Sequence, residues 1–227
     1  MLISVHLPKT AGSSFAQSLA LHFGNTLRLD YGDLPINTPG LRRNARAAYD
    51  CLMNRFRAFP QIQCIHGHFL PLKYWGLASK TGSSFITWVR DPVERLASHY
   101  YFWQKTYNPR TSPPLHKRAI EEQWSLERFC LGPELRNFYH QFFWGFSVSH
   151  FAFIGVTEYF AEDFRYFTER FFGSTMPTPH VNVNADKERD IYIENPRLRT
   201  KIETYHQADM RLYRQAVAQR ITRSAHL

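Results

Sequence analysis

Leu2-Ile3-Ser4-Val5-His6-Leu7-Pro8-Lys9-Thr10-Ala11-Gly12-Ser13-Ser14-Phe15, near the amino end, is the stretch on which the fold assignment turns. A short apolar run stops at Pro8, and from Ser13 to Phe23 the residues Phe15, Ala16, Leu19, Ala20 and Phe23 recur at helical spacing. The order is strand, tight loop, helix. In a parallel α/β sheet this junction lies outside the carboxyl end of a strand, where the first N–H groups of a helix and its macrodipole attract an anion. Gly12 permits close approach, Thr10, Ser13 and Ser14 offer hydroxyls, and Lys9 offers a point charge. The bland alternative is a strand-helix turn with capping serines and a solvated lysine. The loop is not the triphosphatase pattern G-x-x-x-x-G-K-[ST], because here the lysine precedes the glycine.

The same topology recurs at Ser84-Phe85-Ile86-Thr87-Trp88-Val89, a strand rich in β-branched and aromatic residues that ends at Arg90. Asp91 is placed as an N-cap with Pro92 at the first helical position, and Val93, Leu96, Ala97, Tyr100 and Tyr101 form the stripe of the next helix. Ser98 lies two turns into that helix, so Arg90 and Ser98 are candidates for one anionic group; guanidinium is suited to forked recognition of phosphate. The competing reading pairs Arg90 with Asp91 or Glu94 and bonds Ser98 back to its own helix.

Between these motifs a brief strand over Gln61 to Ile65 is followed by His66-Gly67-His68, where glycine allows a turn that aims an imidazole into the same cleft. A metal pair is conceivable, but no third ligand accompanies it at a recognisable spacing. Elsewhere, Leu41 to Phe59 reads as a helix with Leu41, Ala45, Ala48, Leu52 and Phe56 on one face. Helical patterns follow over Leu115 to Leu131, Pro133 to Phe143, Phe160 to Phe172 and Pro196 to about Gln219, with a strand over Phe151 to Val156. Gly173 to Asp190 has no periodicity. Strand-helix alternation predicts a single α/β domain over residues 1–227, built on a mainly parallel sheet flanked by helices.

Composition agrees. Of 227 residues, 44 % are hydrophobic and 16 % aromatic, enough apolar surface to close one core. No window approaches about 18 uncharged apolar residues, so a membrane-spanning helix is not expected. The chain opens directly on a strand, which predicts a soluble, unprocessed protein. Cys51, Cys64 and Cys130 are odd in number and form no C-x-x-C pair, which argues for buried free thiols in a reducing compartment. With 28 Lys and Arg against 19 Asp and Glu, the net charge is +9, which leaves nucleic acid, a membrane surface or an anionic ligand as partners.

Pro8-Lys9-Thr10-Ala11-Gly12-Ser13-Ser14-Phe15 resembles the 5′-phosphosulfate loop, and Arg90-Asp91-Pro92-Val93-Glu94-Arg95-Leu96 with Ser98, Tyr100 and Tyr101 resembles the 3′-phosphate motif, of sulfotransferases that use 3′-phosphoadenosine 5′-phosphosulfate (PAPS). The pair is most similar to the branch that includes heparan sulfate 2-O-sulfotransferase, which carries a similar His-Gly-His. The resemblance implies a P-loop nucleotide-kinase-like sulfotransferase fold. It implies that Lys9, Thr10, Ala11, Gly12, Ser13 and Ser14 hold the phosphosulfate, that Arg90 and Ser98 hold the 3′-phosphate, and that no metal is needed. It gives His68 the role of base, with Lys9 assisting and His66 as helper or substrate contact.

An acceptor with a free hydroxyl is then the expected partner, a glycan by the resemblance and an anionic one by the charge, rather than nucleic acid. Glu158 is an alternative base, though capping the following helix suits it better. His180 to Arg189, with Lys187 and Arg189, is the candidate cover for the adenine, and Asn137 and Gln141 are candidates to reach the acceptor. Animal Golgi members begin with an anchor and stem, whereas this chain starts at the strand, so a cytoplasmic enzyme is expected. The chain is short where acceptor-binding insertions would lie, so heparan sulfate is not assumed as substrate. A nucleotide or small-molecule kinase of related fold remains the alternative enzyme, and a basic nucleic-acid-binding domain, suggested only by charge, the alternative outside enzymes.

Overall fold

Strand β1 (Leu2–Val5) is buried at all four positions, as a central parallel strand covered on both faces requires. The computed structural model describes residues 1–33, 35–179 and 191–224. Around β1 stand β2 (Leu27–Asp30), β3 (Cys64–Gly67), β4 (Ser84–Val89) and β5 (Phe151–Val156), all parallel, in the order β2-β3-β1-β4-β5. Val5 is in register with Gly67 on one side and Thr87 on the other, so β1, β3 and β4 end close together. The chain leaves β1 towards one edge and leaves β4 towards the other. Their carboxyl ends therefore flank a topological switch point, the position where such sheets take ligands.

Ten helices are described: α1 (Gly12–Phe23), α2 (Gly40–Asn54), α3 (Leu72–Thr81), α4 (Pro92–Thr106), α5 (Pro114–Glu121), α6 (Leu126–Leu131), α7 (Phe138–Phe142), α8 (Phe160–Phe172), α9 (Pro196–Tyr205) and α10 (Gln207–Ser224). The period-2 alternation of the strands divides the core. Leu2, Ile86, Trp88 and Phe153 pack with Phe15 and Leu19 of α1 and Phe164 and Phe167 of α8. Ile3, Val5, Phe85 and Val89 pack on the opposite face with Tyr74, Leu77, Leu96 and the aromatic side chains of α6 and α7.

The structure departs from expectation at several places; the pattern over Leu115 to Leu131 is two helices, α5 and α6, and that over Pro133 to Phe143 is a 3-10 turn (Pro133–Leu135) followed by α7. The third strand runs from Cys64 to Gly67, so His66 lies inside it rather than after it. Helix α2 ends at Asn54, short of Phe59, and its stripe of Leu41, Ala45, Ala48, Leu52 and Phe56 is exposed; Ala47 and Asn54 are the buried residues. Strand β2 and helix α3 were not anticipated: β2 is a four-residue edge strand whose residues are exposed or half-buried, and α3 interrupts its pattern with the buried Lys73. The carboxyl-terminal helix is two, broken at His206, whose ring bonds the Cys130 carbonyl at 2.7 Å and accepts from Asn137 N at 3.0 Å. All three cysteines are free; Cys64 and Cys130 are buried and Cys51 is half-buried.

Candidate active site

The β1–α1 loop is held in a shape that its residues do not favour. Lys9 has φ 70° and Ala11 φ 61°, the left-handed region that costs a non-glycine residue of order 1 kcal/mol or more. Thr10 fixes the turn by donating to the Leu7 carbonyl at 2.8 Å and is 1 % exposed, so it shapes the loop rather than offering a free hydroxyl. A Cβ at Gly12 would run into the His6 ring, which makes this glycine a packing requirement. Ala11 precedes α1 with no side-chain cap, so the serines do not cap the helix; Ser13 is exposed and Ser14 buried. The N–H groups of Gly12 and Ser13 in that first turn have no partner among the described residues.

Lys9 is not a solvated lysine. Its ammonium lies 4.0 Å from the centre of the Phe102 ring, and burial, reinforced by the nearby Arg90 charge, pulls its pKa down to about 8. Arg90 follows β4, and its backbone is fixed twice by Tyr139: Arg90 N–H donates to the phenol oxygen at 3.0 Å, and the phenol donates to the Arg90 carbonyl at 2.7 Å. Asp91 caps α4 as expected, accepting from Val93 N at 2.9 Å and Glu94 N at 3.1 Å. Neither acid pairs with Arg90. Arg199 of α9 takes both, Asp91 at 2.6 Å and Glu94 at 3.3 Å, a partnership across the chain that local sequence did not reveal. Among the described residues, Lys9 and Arg90 form no ion pair, so two neighbouring cations repel each other with only the more distant Glu158 carboxylate acting on Arg90. Ser98 is buried in the same helix.

Three imidazoles share the adjoining corner. His68 Nδ1 lies 2.6 Å from the His6 carbonyl, to which only Nδ1–H can donate; this fixes the tautomer and leaves Nε2 as an acceptor. His6, just past the end of β1 and without a role expected from sequence, is the hub. Its ring lies 4.3 Å from that of His68 and 5.1 Å from that of His66, and its Nδ1 is 3.0 Å from the Tyr31 hydroxyl. His66 is 1 % exposed; its Nδ1 bonds Ser4 Oγ at 2.8 Å, and its Nε2 is buried without a partner. His66 therefore supports the corner from beneath rather than lining its surface. Burial holds all three rings below the ordinary histidine range, His66 at about 3, with repulsion from His68 adding to the shift in His6 and His66.

The remaining candidates divide. Glu158 Oε1 accepts from Asp91 N–H at 2.8 Å, so it braces the β4–α4 turn instead of capping α8, and burial raises its pKa. Asn137 is structural: with φ 48° it starts α7 and accepts from Ala208 N at 3.2 Å. Gln141 accepts from Arg43 at 3.1 Å and lines a surface hollow with it. Residues 180–190, and with them Lys187 and Arg189, lie outside the described residues. Among the described residues, no group of three or more His, Cys, Asp or Glu side chains is arranged to hold a metal ion.

The buried histidines make stability pH-dependent. His66 and His206, held at about 3 and about 4, stay neutral in the fold while the unfolded chain takes up protons below about pH 6.5. Stability is thus full above pH 6.5 and falls as pH drops. At pH 5 each such histidine costs about 2 kcal/mol, and Asp209, whose carboxyl burial raises to about 6, offsets about 1 kcal/mol. Urea unfolding at pH 7.5 and pH 5 is expected to show a net loss of at least about 3 kcal/mol, since His6, His68 and His99, also held below the ordinary range, add loss of the same sign; equal stability would mean that these rings are not neutral and enclosed.

Among solved structures, the chain is similar to a sulfotransferase from Alicyclobacillus acidocaldarius, with a TM-score of 0.51 and 15 % identity over 96 % of this chain and 95 % of that one. No family model matches the sequence, and no curated protein does. At this identity the likeness is one of fold: the five-stranded parallel sheet and its helices follow the sulfotransferase architecture.

Proposed function

We propose that the protein transfers a sulfuryl group from PAPS to an acceptor hydroxyl, with His68 as general base. One observation carries the reading: two cations that form no ion pair among the described residues, Lys9 and Arg90, stand at the switch point beside a histidine whose Nε2 is left to accept. A nucleotide with phosphates at both ends suits such a pair. The β1–α1 loop, through Lys9, Gly12, Ser13, Ser14 and the backbone of Ala11, would hold the 5′ end, and Arg90 with Ser98 the 3′-phosphate. Bound PAPS supplies an activated sulfuryl group.

The chain's own residues do the rest. His68 Nε2 takes the hydroxyl proton as the acceptor oxygen bonds to sulfur. The His6 carbonyl, already accepting from Nδ1–H, stabilises the imidazolium that forms. Lys9 and the loop amides hold the negative charge left on the phosphate oxygen when the sulfur–oxygen bond breaks. Still mostly cationic at pH 7, Lys9 gives up a proton more readily than an ordinary lysine. The acceptor is most simply a carbohydrate, following the His-Gly-His resemblance.

Thermal shift discriminates this from a kinase. Adenosine 3′,5′-bisphosphate at 100-fold over its Kd is expected to raise Tm by roughly 5–10 °C, with ATP-Mg giving less. A larger shift with ATP-Mg would overturn the sulfotransferase reading.

A further inference from the structure

Helix α2 turns its apolar stripe away from the core. Its buried residues, Ala47 and Asn54, lie on the side packed against α3. On the other side Leu41, Ala45, Ala48, Tyr49, Leu52 and, just past the helix end, Phe56 fall within an arc of about 100° and are all exposed, Leu41 by 88 % and Phe56 by 74 %. Arginines border the stripe: Arg42 and Arg46 along one side, Arg55 along the other. Arg46 is engaged by Asp33 at 3.4 Å, whereas Arg42 and Arg55 form no ion pair among the described residues. An exposed apolar stripe of this extent in a folded protein calls for an occupant.

We propose that this face of α2 docks the protein onto a bilayer rich in anionic phospholipid. Leu41, Leu52 and Phe56 project from the convex side of the helix, and only Ala45 and Tyr49 face a cleft wall, so most of the stripe fits a surface rather than a peptide. A second copy is disfavoured by charge: apposing two such stripes brings their arginine borders together in chains that each carry +9. A basic helix with Leu and Phe outward lies in the plane of a membrane interface, its arginines reaching the headgroups. The Arg42 and Arg46 side of the stripe also borders a largely apolar cleft of about 750 Å³ lined by Asp33, Asn37, Pro39, Ala45 and Tyr49, which extends the apolar surface of the stripe. None of this depends on the transfer reaction.

Sedimentation with vesicles of phosphatidylcholine, with or without about 30 % phosphatidylserine, tests the proposal. Binding is expected to be at least about tenfold tighter to the anionic vesicles, and to weaken by about 30-fold or more in Arg42→Glu/Arg55→Glu, which removes two favourable charges and adds two repelled ones. It is expected to be lost in Leu52→Gln/Phe56→Gln. These positions are solvent-exposed, so circular dichroism and Tm should match the parent. Equal binding to both vesicle types would overturn the proposal, as would retention by the Leu52→Gln/Phe56→Gln variant. Light scattering that shows a dimer abolished by that variant would assign the face to a second copy instead.

Discussion

His68→Ala is expected to lower turnover by about 10²–10⁴-fold, the range that a positioned general base contributes, while the affinity for adenosine 3′,5′-bisphosphate stays within about twofold of the parent. The separation follows from where the side chain is anchored. Its one backbone bond is to the His6 carbonyl, and neither Lys9 nor Arg90 depends on it for position. The pH profile carries the same signature. Burial holds the His68 pKa below 6.5, and the hydrogen bond to His6 opposes this only in part, so the base stays unprotonated into mildly acidic solution. The acid limb of kcat/KM is expected below pH 6.5 and is expected to vanish in the variant. Near-normal turnover in His68→Ala would remove this residue as the base and return attention to Glu158.

Arg90→Ala is expected to weaken binding of adenosine 3′,5′-bisphosphate by about 10- to 100-fold, equivalent to the 1.5–3 kcal/mol of a charge-assisted hydrogen bond. Adenosine 5′-phosphate, which lacks the 3′ group, should bind the variant and the parent alike. The substitution is clean because Tyr139 grips the Arg90 backbone at both N–H and carbonyl, so the strand end keeps its place without the guanidinium. Titration calorimetry with both nucleotides checks it. Equal losses for the two would show that Arg90 supports the loop rather than reading the 3′ end.

Much of the frame was legible because its signals are local. Strand β4 was read to its last residue from β-branched and aromatic content, and the start of α4 from Asp91-Pro92, whose cap bonds are present. The loop before α1 was located by its apolar run, its lysine and its glycine. What escaped depends on distance or on sign. Periodicity shows that a helix has an apolar side, but not which way that side points, and α2 points it outward. Strand β2 is a short edge with little to bury. The freedom of Arg90 depends on Arg199, 108 residues beyond Asp91. His6 had a readable cue, an imidazole ending a buried strand next to an anion loop, but its importance emerges only when β3 brings His66 and His68 alongside.

The left-handed backbone at Lys9 and Ala11 bears on the kinetics of recognition. A glycine-rich cradle is a disordered host that its guest must freeze, losing about 1–2 kcal/mol per residue fixed. Here one glycine alone interrupts the turn, and it is wedged against the His6 ring, so folding has already met the entropic cost of ordering. On the proposed reading the cradle takes its binding shape before a nucleotide meets it. Encounter then needs no rearrangement after first touch, and differences in tightness among nucleotides are read in how slowly each one leaves.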